Sequence, residues 1–354
     1  MKKNTAATPT SSKRFVIIGS GGSAYTYATT TDISNGPFTY GNISTNYNNF
    51  VPRSICCGIY NSANLWVAIG ISGTTLYSST STNGTTWTTR SSSISSIFGS
   101  SGWIFGALNF GYASNGTTGI FMATGYSGTS GNPQVAISLD GVTWKTGGTP
   151  FSGTGFGNDC FYGNGYWVVV GNSGANTTCA KYSTNVDYTD NTNISWTSVG
   201  TVINPCYSVR YNGSRWFYGC ASNYVVCTSN NTPNSALTSS SNAGQQYVSA
   251  LAVLSNDTFL SGGSGNGGSY VSRGVFSGTI SFPFNQIIET NTSRSWQMIY
   301  DASSSLYAVS TQGSTSNQMS LFLYGMIGGI WTPFGKPAVG TNLINCVGIA
   351  QNAM

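Results

Sequence analysis

The 354-residue chain contains no histidine and a single glutamate, Glu289, and only 6% of its residues are charged. Most acid–base chemistry is thereby removed, because histidine is the usual proton shuttle near neutral pH and paired carboxylates are the usual substitute. No apolar run is long enough to cross a bilayer as a helix; the longest, LFLYGMIGGIW at 321–331, falls well short of the span required. The N-terminus carries Lys2 and Lys3 but no apolar run longer than FVIIG, so it does not read as a secretory signal and the expectation is a soluble chain. Cysteines occur without a C-x-x-C pair, and Cys56-Cys57 is vicinal, which argues against a zinc site. No cofactor or metal is expected. With no secretory signal, the eight cysteines are expected to be free thiols, Cys220 and Cys227 being the pair that a hairpin could bring together.

What remains is Gly, Ser, Thr and Asn in abundance, with aromatics at 13%. Low charge with many aromatics is the opposite of a disordered composition, and the polar small residues disfavour helix, so the chain reads as all-β and rich in turns. The net charge of +5 is concentrated near the start, at Lys2, Lys3, Lys13 and Arg14. The nearly neutral body has no electrostatic footprint for nucleic acid.

A strand type with an aromatic second residue recurs seven times, in RFVIIGSGG, LWVAIGISG, IFMATGYSG, YWVVVGNSG, RWFYGCASN, TFLSGGSGN and LYAVSTQGS. Its aromatics, Phe15, Trp66, Phe121, Trp167, Trp216, Phe259 and Tyr307, are separated by 51, 55, 46, 49, 43 and 48 residues. That period fits one four-stranded propeller blade. Each copy is preceded by a strand A and followed by strands C and D, if the aromatic strand is B. The first copy has no A strand before it, and INCVGIAQNA at 344–353 has no B strand after it. The expectation is therefore a seven-bladed β-propeller over 14–354, closed by a blade built from 14–45 and 344–353, with residues 1–13 as a flexible basic arm.

Between strands C and D stands a repeated turn: STNGTTW at 81–87 and SLDGVTW at 138–144. A short polar residue followed by Gly is a strong turn signal, since both tolerate positive φ. Ser81, Asn83, Gly84 and Trp87, and Ser138, Asp140, Gly141 and Trp144, are read as structural, with the polar side chain capping its own turn and the Trp packed between strands. A degraded copy with an insertion ends at Trp196. On these residues the chain resembles the Asp-box (BNR) propeller family, whose repeat is Ser-x-Asp-x-Gly-x-Thr-Trp. The resemblance implies a propeller fold and leaves function open, because that family includes sialidases as well as non-catalytic assembly factors and receptors. In style the chain also resembles propellers of large DNA virus and phage virions.

A sialidase-type site requires a Tyr nucleophile, a Glu base, an acidic Asp and three arginines. The family's Arg-Ile-Pro signature is missing, and no catalytic residue is assigned. Binding is placed on the face of the D-to-A connections, read as 39–54, 88–102, 145–157 and 285–295. Arg53, Arg90, Lys145 and Arg294 fall there, with Lys336 in TPFGKPAVG on the same face, interleaved with aromatics including Tyr40, Tyr47 and Phe98. The expected function is a non-catalytic structural or protein-interaction module, with protein partners in a virion or other assembly and a location on that assembly or otherwise in the cytoplasm. The alternative is a lectin-like module binding glycans through the same face, with a sialidase-type hydrolase third. The residues do not choose between the first two. Asn-x-Ser/Thr triplets recur throughout, as a chain this rich in Asn, Ser and Thr must show.

Overall fold

The computed structural model describes residues 13–19, 26–33, 37–43, 50–90, 93–98, 104–126, 134–153, 155–172, 178–200, 202, 204–222, 224–241, 247–254, 256–265, 268–290, 292–301, 305–313, 319–327, 330–335 and 346–351. Residues 1–12 of the arm expected at 1–13 lie outside them. Lys13, at the end of that segment, is ion-paired with Asp301 and sits over the Phe15 ring.

The strands form seven four-stranded antiparallel sheets. We number the blades from the first complete one, Val51–Arg90, and call the strands A to D from the inside out. Six blades take their strands consecutively from the chain. The seventh joins the last strand, Cys346–Gln351, to Phe15–Gly19, Tyr27–Thr30 and Thr39–Gly41. The closing pair is antiparallel, with Phe15 opposite Gln351 and Ile17 opposite Ile349. Every A strand touches the A strands of both neighbouring blades, so these strands form the inner ring. Such closure removes the open sheet edge that an incomplete ring would present.

The recurring B-strand aromatics lie in the core: Phe15, Trp66, Phe121, Trp167, Trp216, Phe259 and Tyr307 are all buried. In four blades an A-strand aromatic stands opposite, with ring centroids 5.1 Å apart for Phe110 and Phe121, 5.4 Å for Tyr162 and Trp167, 4.9 Å for Tyr211 and Trp216, and 4.8 Å for Tyr300 and Tyr307. The A-strand ring then presses on the preceding blade where that blade has glycine. A Cβ on Gly58 would lie 2.1 Å from Phe110, and one on Gly111 would lie 2.2 Å from Tyr162. Glycine at these two places sets how closely the blades approach.

Polar groups stitch the same inner ring. Ser54 Oγ accepts from Leu108 N–H (3.1 Å), Asn109 donates to the Cys160 carbonyl (3.1 Å), and Ser208 Oγ donates to the Val248 carbonyl (3.1 Å). Between blades 3 and 4, Asn158 donates to the Cys206 carbonyl (2.7 Å), and Asp159 accepts from Val209 N–H (3.0 Å) and pairs with Arg210 (2.6 Å). Burial pushes the Asp159 carboxyl upward, against the lowering effects of Arg210 and its N–H donors.

Two expectations are corrected. Helix is disfavoured by composition, yet Ile94–Phe98 forms one helical turn whose Ile94 and Phe98 side chains are buried. The expectation of eight free thiols fails at one pair, since Cys220 is disulfide-bonded to Cys206, and Cys227 is not its partner. Cys206 and Cys220 face each other across strands A and B of blade 4, whereas Cys227 stands opposite Phe217. Burial pushes the Cys227 thiol up to about 12.

Candidate functional site

All seven A strands carry a β-bulge in the same part of the strand. The residues that the register skips are Arg53, Asn158, Tyr207, Ser249, Trp296 and Val347, with Gly106-Ala107 at the equivalent place in blade 2. A bulge bends a strand and re-aims its side chains, and bulges recur at rims and binding sites. Here they form a ring on the innermost strands, towards the end where each A strand is entered from the preceding blade. Arg53 is exposed, although Pro52 and Ser54 beside it are buried. Nearby protein desolvates its guanidinium and lowers its pKa. Tyr207 meets Tyr247 of the next blade edge to face, with centroids 5.3 Å apart. Among the described side chains this rim offers one cation, aromatic surface and amide or hydroxyl groups, which suit hydrogen bonding and stacking.

The other residues placed on this face divide differently from the expectation. Phe98 is a core residue, at 1% exposure. Tyr40 lies in strand D of blade 7 and packs on the cluster around Phe15 and Ile17. Lys145 is the second residue of strand D of blade 2, after Trp144 at the other end of the blade, where its ammonium lies 4.3 Å from the Tyr188 ring centroid and donates to the Tyr188 carbonyl (3.2 Å). Arg90 ends strand D of blade 1, opposite Ser78, and Arg294 stands in strand A of blade 6, opposite Gln312. Tyr47 and Lys336 lie outside the described residues. Several stretches read as connections are thus strands, and Phe98 and Lys145 are pinned by packing.

The repeated C-to-D turn is built alike in blades 1 and 2. Ser138 Oγ accepts from Gly141 N–H (2.9 Å), while Asp140 Oδ1 accepts from the Val142 and Thr143 N–H groups (both 2.8 Å). In the other copy Ser81 accepts from Gly84 N–H (2.8 Å), and Asn83 accepts from Thr85 (2.9 Å) and Thr86 (2.8 Å). Gly84 and Gly141 have φ of 73° and 68°, as the turn demands. Burial raises the Asp140 pKa, but the Thr143 and Val142 N–H groups and the Ser138 hydroxyl outweigh it, and the carboxyl is held below its ordinary range. Each following Trp bridges to the blade before: Trp144 donates to Ser78 (3.3 Å), Trp196 to the Gly147 carbonyl (2.9 Å), and Trp87 packs near Tyr27 with ring centroids 6.1 Å apart.

Blade 3 keeps this turn across its insertion, because Asn185 accepts from the N–H of Ser195, the residue before Trp196 (3.0 Å). Blade 4 has a version that sequence inspection misses: Asn230 accepts from Thr232 N–H (2.9 Å), and Thr228 donates to the Asn230 carbonyl (2.6 Å). Its only signal is Thr-x-Asn, without the Gly and Trp. Three of the Asn-x-Ser/Thr triplets form turns of the same kind. Asn115, Asn212 and Asn256 each accept from the N–H two residues on, at 3.0, 3.0 and 3.2 Å, which makes each an Asx turn.

The acids are occupied in the same structural way. Asp140 holds its turn, Asp159 pairs with Arg210, Asp257 with Arg215 at 3.1 Å, and Asp301 with Lys13. Asp187 and Asp190 bond Thr189 and Asn193 in the blade 3 insertion, both at 2.7 Å. Cys56 and Cys160 are pushed well above the ordinary thiol range by burial, as Tyr218 is above the ordinary phenol range.

No protein-family model matches the chain, and no curated protein does. Solved structures do match in fold. A Lactobacillus plantarum protein solved as a structural-genomics target aligns with a TM-score of 0.63 at 9% identity, over 96% of this chain and 99% of that one. A chain of the mitotic checkpoint complex aligns with a TM-score of 0.56 at 9% identity, over 90% of each chain. YCF48 bound to D1 peptide aligns with a TM-score of 0.54 at 12% identity, over 88% of each. At these identities the likeness is one of fold, and it agrees with the strand pairing in making this chain a seven-bladed β-propeller.

Proposed function

We propose that the protein is a non-catalytic propeller that serves as a structural or protein-interaction module of a larger assembly, with a virion surface as its setting, and that its Ser-x-Asx turns are Asp-boxes. The observation that carries this reading is the commitment of the carboxylates. Six of the seven aspartates bond to turns, arginines or Lys13, so most of the carboxylates are held in structural roles. The bulge rim, neutral apart from Arg53 in its described side chains, suits a polar, aromatic-rich protein interface. One structural neighbour is a YCF48 propeller solved with a peptide, which shows that this fold can hold such a ligand.

The test is recovery of the protein from its natural source, with quantitation through sedimentation of particles and parallel passage over immobilised glycans. The expected result is a fixed stoichiometry in one assembly, with no glycan retention and no release of sugar from glycoside substrates. A free chain retained by and eluted from the glycan column, or one that hydrolyses a glycoside, overturns the proposal.

A further inference from the structure

We infer that Arg53 anchors the bulge rim to its protein partner, and that the partner segment it receives carries a single carboxylate. This rests on the reading of the rim as a protein-interaction surface and names the chemistry of its ligand. The bulge places Arg53 where a ligand can reach it: the register passes from Pro52 opposite Gly70 to Ser54 opposite Ile69, both buried, while Arg53 between them is exposed. The rim positions on either side are uncharged, Val347 in blade 7 and Gly106-Ala107 in blade 2. Among the described residues the ion pairs are Lys13–Asp301, Arg210–Asp159 and Arg215–Asp257, so Arg53 has no carboxylate of its own there. The surrounding protein nevertheless takes water from its guanidinium. A cation that is partly desolvated and unpaired gains from an incoming anion, and the guanidinium fork matches a carboxylate with two parallel hydrogen bonds.

The placement of the protein's own acids points the same way. Asp32, Asp140, Asp187 and Asp190 lie in C-to-D connections, and Asp257 and Asp301 lie where strand A turns into strand B. All six are at the opposite end of the blades from the rim. Asp159, beside the rim in blade 3, is buried and taken by Arg210. Glu289 stands on the outermost strand of blade 5, opposite Ser269, and blades 6 and 7 separate it from Arg53 around the ring. An acid brought by a partner thus approaches Arg53 without meeting a row of like charges.

The number of cations separates one class of anion from another. A nucleic acid or other polyanion is held by many lysines and arginines together, whereas Arg53 is the one cation among the rim's described side chains. The same rim carries the Tyr207 and Tyr247 rings in blades 4 and 5. One arginine among neutral aromatic and polar groups is the composition of a protein-interface hot spot, and it suits a segment with one acid among uncharged residues.

The probe is a random peptide library selected on the immobilised full chain at physiological salt. The retained peptides are expected to carry one Asp or Glu. Resynthesised with that acid as its amide, such a peptide should bind the parent chain about tenfold or more weaker. With Arg53→Gln the same acid-to-amide change should alter affinity by less than about twofold, the non-additivity that marks a direct pair, at an unchanged melting temperature. Lys181→Gln, which removes an equal charge from strand C of blade 3, should behave as the parent. A library without acid-bearing binders, an acid that counts equally with Arg53→Gln, or tighter retention of a single-stranded oligonucleotide than of any peptide overturns the inference. Sedimentation of the natural assembly keeps the underlying reading separate. Full stoichiometry with Arg53→Gln overturns the inference alone, whereas a chain found in no assembly overturns the reading and leaves the peptide result to decide the chemistry of the rim.

Discussion

Gln297 Oε1 accepts a hydrogen bond from Ile349 N–H at 3.0 Å, across 52 residues of sequence. It ties strand A of blade 6 to the last strand of the chain, at a position where Ile349 is fully buried. Gln297 directly follows the bulge residue Trp296, as Ser54, Asp159 and Ser208 follow theirs, and all four bond the next blade. The bulge thus turns a side chain of each of these strands towards its neighbour's backbone.

Removing that acceptor should strand a buried donor. Gln297→Leu is expected to cost about 1–3 kcal/mol, whereas Gln297→Glu, which keeps an acceptor, should cost less near neutral pH. Denaturant unfolding of the two variants checks the order, and equal stabilities would deny the bond its role.

The C-to-D turns should behave as joints. Trp144→Ala is expected to destabilise by about 3–5 kcal/mol, since the ring is 97% buried by its 3% exposure and bridges two blades. Trp87, half-buried, should cost less on the same change. Asp140→Asn should be mild, because Asn83 holds the equivalent turn with the same N–H donors. Loss of a binding or hydrolytic activity by Asp140→Asn without loss of stability would assign this turn to function.

Asp140 should also give stability a pH dependence. Its folded pKa lies below the ordinary aspartate value of about 3.9, so the ionised group stabilises the native state above that value. The contribution is lost as pH falls through the depressed folded pKa. The melting-temperature difference between the parent chain and Asp140→Asn should therefore shrink from neutral pH into acid. A difference that stays constant would contradict the assignment.

The Cys206–Cys220 bond closes a loop with a sequence separation of 14. Replacing both cysteines by serine, or reducing the bond, should cost about 3 kcal/mol on loop-closure grounds. Thiol titration of the unfolded chain before and after reduction should differ by two groups. No difference would place these cysteines with the free thiols.

The blade plan was legible because it rests on local patterns: a buried aromatic second in each B strand, Gly turns that need positive φ, and a first blade lacking its inner strand. The bulge ring was not, since Arg53, Asn158 and Tyr207 share no residue type and a bulge exists only relative to the partner strand. Lys145 was read into a connection because strand D of blade 2 begins at Trp144 with no change of polarity to mark it. Phe98 looked like a loop aromatic because the turn that buries it, Ile94–Phe98, is made of weak helix formers. The cysteines were read as free thiols because Cys206 and Cys220 meet only through the pairing of strands A and B, while the C-strand register sets Cys227 opposite Phe217, three residues from Cys220.

The closed ring itself is tested most directly by deleting residues 343–354. These include Cys346–Gln351, the inner strand of the closing blade, which pairs with Phe15–Gly19 and donates the Ile349 N–H to Gln297. The truncated chain should lose its soluble, cooperatively melting form on chromatography and thermal scanning, because the Phe15–Gly19 edge and its buried neighbours are opened to water. A truncated chain that elutes like the full-length protein and melts at the same temperature would contradict the seven-bladed closure.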